Sequence, residues 1–159
     1  SFNQLGGKVP HLSSIHNLST LDLSSNNFDG PLPQFSGNLI SLRLYRNLFS
    51  GPISPICESG ISSLENLDLS RNSLSGQLPD CWTSGKKLRR LRLGNNNLYG
   101  KLPDSIGHLP LLALDLHNNS LSGELPSSLK NCTNLVFMIL GNNRLSGTIP
   151  EWIGEMSQK

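Results

Sequence analysis

An asparagine recurs along this chain at Asn3, Asn26, Asn47, Asn72, Asn96, Asn119 and Asn143, at intervals of 23, 21, 25, 24, 23 and 24 residues. Four positions after each stands a glycine: Gly7, Gly30, Gly51, Gly76, Gly100, Gly123 and Gly147. Two positions after each Asn comes Leu or Phe. Six after comes Val, Leu or Ile, then proline in every unit but one, where Ser54 takes the place and Pro55 follows a residue late. Ahead of each Asn except the first runs L-x-x-L-x-L, as at Leu64, Leu67, Leu69 and Leu88, Leu91, Leu93, with Met138 as the sole departure. A period in this range is the signature of a repeat architecture. Each unit is too small to bury its own apolar face and folds only by stacking on its neighbours.

Each column has a physical reading. The x-L-x-L-x core alternates as a half-buried strand does, and neighbouring strands would stack about 4.8 Å apart. Asn26, Asn47, Asn72, Asn96, Asn119 and Asn143 are polar groups in an apolar setting, so their amides should bond the backbone of their own and adjoining coils. Glycine is expected at a tight bend where a side chain would clash, and proline blocks helix continuation after it. The eight or so remaining residues per coil, such as Asp104 to Leu109, suffice only for a short helical turn. The pattern predicts a curved solenoid with strands inside and short turns outside.

Composition narrows the function. With 13 Lys and Arg against 11 Asp and Glu the net charge is only +2, too little for a phosphate-binding field, which argues against nucleic acid as partner. No apolar run approaches eighteen residues, so none is expected to span a bilayer. His11 and His16 sit in a connecting segment without the acids or cysteines that would complete a metal site. No G-x-G-x-x-G or P-loop is present to cradle a phosphate. Asp115 and His117 fall on one strand face and could orient one another, but no Ser or Cys nucleophile is in register beside them. The expectation is a chain without catalysis, cofactor or metal.

Over nearly its whole length the sequence resembles the plant-specific class of leucine-rich repeats, carried by L-x-x-L-x-L-x-x-N-x-L-S-G-x-I/L-P as at Leu64 to Pro79 and Leu135 to Pro150. Leu78 to Trp82 and Lys130 to Leu135 look most like receptor-like proteins of plant immunity. The cell-wall polygalacturonase-inhibiting proteins are more distant relatives. The resemblance implies an α/β solenoid: a right-handed curved stack with a parallel sheet on the concave face, short 3-10 or irregular turns on the convex face, and a second short sheet from the L-S-G-x-I-P segment. It also implies one domain over residues 1–159, about seven coils of 21–25 residues. The family's paired-cysteine cap is absent, which reads as an internal piece of a longer ectodomain. The implied setting is extracellular, at the cell surface or in the apoplast, with any membrane link through the parent protein.

Three cysteines and three sequons complete the inventory. Cys57 and Cys81, ten and nine residues after their Asn, occupy nearly equivalent places on adjacent coils. There a disulfide and a pair of buried thiols both fit. Cys132 has no partner in register. Asn17, Asn118 and Asn131 begin N-x-S/T sequons, sites where a glycan fits a secreted chain.

Function in a repeat array belongs where columns vary, on the concave strand face. One outward column reads Asp22, Arg43, Asp68, Arg92, Asp115, Ile139 and alternates in sign through five coils, setting each Arg beside two carboxylates. That column serves equally as a self-satisfied ladder and as a polar platform. Tyr45, Arg46, Arg71 and Arg90 enrich the middle of the face in Arg and an aromatic, residue types common in interface hot spots. With His117, and with Phe137 and Ile139 where other coils are polar, these define the candidate surface. The resemblance makes it the binding site for a protein or peptide ligand, with any co-receptor contact in parts outside this chain. The alternative is a secreted inhibitor of microbial wall-degrading enzymes using the same face.

Overall fold

The computed structural model describes residues 3–155; the first two and last four positions of the expected 1–159 domain lie outside the described residues. The L-x-L strands stack into a six-stranded parallel sheet on the concave face: β2 (Thr20–Asp22), β4 (Ser41–Arg43), β6 (Asn66–Asp68), β8 (Arg90–Arg92), β10 (Ala113–Asp115) and β12 (Phe137–Ile139). A second parallel sheet of seven strands runs beside it: β1 (Gly6–Lys8), β3 (Asn27–Gly30), β5 (Leu48–Gly51), β7 (Ser73–Gln77), β9 (Asn97–Gly100), β11 (Ser120–Gly123) and β13 (Arg144–Leu145). From β3 on, its strands begin one residue after each Asn, β1 begins three after Asn3, and all stop before the I/L-P pair, so the second sheet is shorter than the expected segment.

Register follows the sequence columns. Leu42, Leu67, Leu91 and Leu114 pair across adjacent strands, point inward and are at most 1% exposed. Each buries a full leucine side chain, roughly 2 kcal/mol apiece. Phe28 and Phe49 stack with ring centroids 6.5 Å apart, and Trp82 is fully buried toward the convex side.

The asparagines join the coils as expected. Asn47 Nδ2 donates to the Leu23 carbonyl of the preceding coil at 3.0 Å and to Leu44 of its own at 3.1 Å, while its Oδ1 accepts the Phe28 N–H at 3.1 Å. Asn72, Asn96, Asn119 and Asn143 repeat that pattern. Asn26 accepts from Leu5 N–H and donates to Leu23 and Ser24 of its own coil.

Two expectations need correction. Gly51 does not avoid a clash, since a Cβ there would meet nothing within 4 Å; it has φ of 81°, a conformation open to glycine and costly for other residues. All seven glycines of the column share a φ of 77–91°, while the expected close contact holds at Gly100, Gly123 and Gly147, where a Cβ would lie 2.9–3.0 Å from a side chain of the preceding coil. The convex side also holds true α-helical turns, α1 (Ser54–Ser59) and α2 (Trp152–Glu155), alongside 3-10 turns at Trp82–Ser84, Asp104–His108 and Ser127–Asn131. α1 lies in the longest coil, where the late Pro55 falls in the first turn and pre-sets its φ. The shortest coil has no helical turn over residues 31–39.

Candidate binding surface

Alternation sends Arg43, Asp68, Arg92, Asp115 and Ile139 to the concave side in one file, each bonded through its strand to the next. Arg43 lies 3.7 Å from Asp22, and Arg92 lies 3.7 Å from Asp68. Each Arg thus takes one carboxylate, the one on the preceding strand, and not two as the column suggested. The reason is competition within the coil. Asp115 is held by its own coil's His117, whose Nδ1 is 2.6 Å and whose N–H is 3.2 Å from Oδ1. Asp68 accepts the Ser70 N–H and hydroxyl at 3.1 and 2.5 Å through Oδ1, leaving Oδ2 toward Arg92.

Asp68 is also only 8% exposed, so this outward position is largely covered. At the amino-terminal end of the file, burial pushes the Asp22 carboxyl up. Ser24, whose N–H donates at 3.0 Å, and the Arg43 guanidinium outweigh that and hold it below its ordinary value.

The position before each ladder asparagine has its own geometry. Ser25, Arg46, Arg71, Asn95, Asn118 and Asn142 all have φ between 54° and 57°. The left-handed conformation bends the chain from the concave sheet into the second sheet. It also sets Arg71 and Asn95 around a hollow lined by Asp68, Ser70, Arg92, Ala113, Leu114, Asp115, His117, Phe137 and Ile139. Asn95 was not among the expected site residues. Its Nδ2 is 2.7 Å from His117 Nε2 and its Oδ1 accepts from Asn118 Nδ2 at 2.8 Å. An amide nitrogen donates, so the imidazole fits the tautomer with its proton on Nδ1, directed at Asp115. The signal was present in the sequence: Asn is well suited to the left-handed position and sits there in three successive coils.

The structure therefore brings Asp68, Arg71, Arg92, Asp115, His117, Phe137 and Ile139 around one hollow. Arg43, Tyr45 and Arg46 lie on earlier coils of the same face, and Arg90 stands at the start of β8, outside the lining. The hollow's far wall is apolar, with Phe137 62% and Ile139 48% exposed. Asn17, Asn118 and Asn131 are exposed, and only Asn118 is joined to this site. Cys57 and Cys81 form a disulfide with Cα atoms 5.9 Å apart, tying the two convex segments together. Cys132 is buried, and that burial pushes its thiol up to about 11 against the opposing Leu111 backbone hydrogen bond.

A sequence profile described as leucine rich repeat matches residues 17–39, 63–84, 87–109, 110–132 and 134–156, more than half of the chain. The chain belongs to the leucine-rich repeat family. Within that family its repeats are similar to those of plant receptor-like proteins. Receptor-like protein EIX2 of Solanum lycopersicum is 44% identical over 89 residues, 55% of this chain and 9% of that protein. Receptor-like protein 31 of Arabidopsis thaliana is 42% identical over 94 residues, 57% of this chain and 11% of that protein. This leucine-rich repeat chain thus spans about a tenth of the length of those relatives. A solved structure of the Arabidopsis receptor kinase HAESA, in complex with the peptide hormone IDA and the co-receptor SERK1, matches with a TM-score of 0.89 at 33% identity. That match covers 99% of this chain and 27% of HAESA's. Among the described residues no helix is long and apolar enough to cross a membrane.

Proposed function

We propose that this chain is part of the extracellular ligand-recognition domain of a plant receptor-like protein and binds a protein or peptide along its concave face. The observation that carries the reading is the hollow between β6 and β12. There an Arg71 side chain with no ion-pair partner among the described residues and a fixed Asp115–His117–Asn95 network face an exposed apolar wall. Interfaces are built this way, with aromatic and Arg anchors and a few oriented polar groups on a rigid scaffold. The asparagine ladder and Leu file supply the rigidity. Its likeness to a receptor kinase solved with a peptide hormone and a co-receptor supports a peptide ligand and co-receptor use by the parent protein. Immune perception follows from the receptor-like resemblance at Leu78 to Trp82 and Lys130 to Leu135.

No chemistry is assigned to the surface. His117 is committed to Asp115 and Asn95, and Cys132 is buried and held as a thiol. Peptides selected on the full chain from a displayed random library test the reading. Clones competing with one another for one site, and losing affinity with Arg71→Glu, are expected. Selection yielding no clone that depends on Arg71 or Phe137 contradicts it. A polygalacturonase inhibition assay separates the receptor from the secreted inhibitor, and no inhibition is expected.

A further inference from the structure

Between Asp80 and Asp104 the chain carries six cations, Lys86, Lys87, Arg89, Arg90, Arg92 and Lys101, and no acid. Arg92 is paired with Asp68. Lys86, Lys87, Arg89 and Arg90 are exposed, and among the described residues none of their side chains has a hydrogen-bond or ion-pair partner. They belong to one coil, where the chain comes round from the convex turn into β8. Four like charges so close together repel, and nothing in the fold uses them.

Their neighbours along the stack decide what they fit. The residue just before each concave strand bonds the same position of the preceding coil: Glu65 N–H to Ile40, Arg89 to Glu65, Leu112 to Arg89 and Val136 to Leu112, all at 2.8–2.9 Å. That rim column therefore holds a single cation. A linear polyanion lying along the stack would meet Arg89, then the Glu65 carboxylate on one side or Leu112 and Val136 on the other. Val136 is 69% exposed and Phe137 beside it 62%. Two strand spacings, roughly 10 Å, separate the cations from this apolar pair, about the reach of three extended residues.

We infer that this rim docks an acidic segment of a peptide or protein, with a block of carboxylates over Lys86, Lys87 and Arg89 and an apolar side chain about three residues away on Val136 and Phe137. The inference rests on the proposed recognition function and extends it from the concave hollow onto the adjoining rim. Charge complementarity of this kind sets encounter rate and orientation, and it weakens with salt.

The test uses the full chain and a synthetic decapeptide in which a Glu-Asp-Glu block precedes Leu-Phe by three residues. Its scrambled isomer and a decamer of galacturonate serve as rivals, and affinity is read by fluorescence anisotropy. The ordered peptide is expected to bind at least tenfold tighter than the scrambled one, and to weaken on going from 50 to 300 mM salt. The triple variant Lys86→Glu, Lys87→Glu, Arg89→Glu should lose tenfold or more at an unchanged melting temperature, and Phe137→Ser should lose several-fold with the salt response kept.

Equal binding by the triple variant, equal binding of the scrambled peptide, preference for the galacturonate decamer, or no binding of the ordered peptide to 1 mM would each overturn the inference. None of the three reversed cations lines the hollow. Phe137 belongs to both surfaces, so the concave-face reading is tested separately through Arg71, which lines the hollow only.

Discussion

The two sides of each concave strand obey different rules. Inward, β4, β6, β8 and β10 present Leu42, Leu67, Leu91 and Leu114, one residue type at one depth in every coil. Outward, the same strands present Arg43, Asp68, Arg92 and Asp115 in three different settings: two half-exposed arginines each paired with the preceding carboxylate, one carboxylate nearly covered, and one bound to a histidine. The inward side repeats because every coil must offer its neighbours the same shape and the same hydrogen bonds. The outward side meets solvent or a partner and is free to differ. A substitution should accordingly act on stability when it falls inside the ladder and on binding when it falls outside.

The sharpest attempt to break that division is Asn96→Ala. It would leave the Leu74 N–H and the Leu69 and Leu93 carbonyls without their partner in a buried setting. The expected loss is about 4 kcal/mol by chemical denaturation, because unsatisfied buried groups cost about 1–3 kcal/mol each. Removing the Cys57–Cys81 disulfide by paired Ser substitution should cost about 3.5 kcal/mol, the chain-entropy value for closing a loop of this size. It should leave concave-face binding intact, since the bond lies on the convex side.

Arg92→Gln, outside the ladder, should cost about 1 kcal/mol in the same assay, since Arg92 is half in solvent and the covered Asp68 keeps its two Ser70 hydrogen bonds. The smallest effect is expected from Asp22. Its carboxyl is held below the ordinary 3.8, so its contribution is complete above that value and fades as pH falls through the lower folded value. With nearly half of the side chain exposed, Asp22→Asn should remove only a few tenths of a kcal/mol at pH 7 and flatten the acid limb slightly.

Much of the fold was legible because it is forced. An amide that must satisfy two coils can only be Asn at one spacing, and a leucine file has one depth. Asn47 and Leu67 behave as their columns required. The outward side was legible only as far as direction. That Arg43 and Arg92 face out follows from alternation. That each takes the preceding carboxylate depends on Ser70 and His117 occupying the others. Those choices are made by side-chain geometry between coils, about which a repeat period carries no information. Gly51 shows the same limit from the other side: the column was plain, but its cause lay in a backbone angle.

The most direct measurement pairs affinity with stability in one variant. In Arg46→Glu, Arg71→Glu, Arg90→Glu, binding of a library-selected peptide is predicted to fall tenfold or more. The melting temperature should stay within about 3 °C, as expected for changes below about 1 kcal/mol. Unchanged affinity in that variant, with the fold intact, would contradict recognition by the concave face.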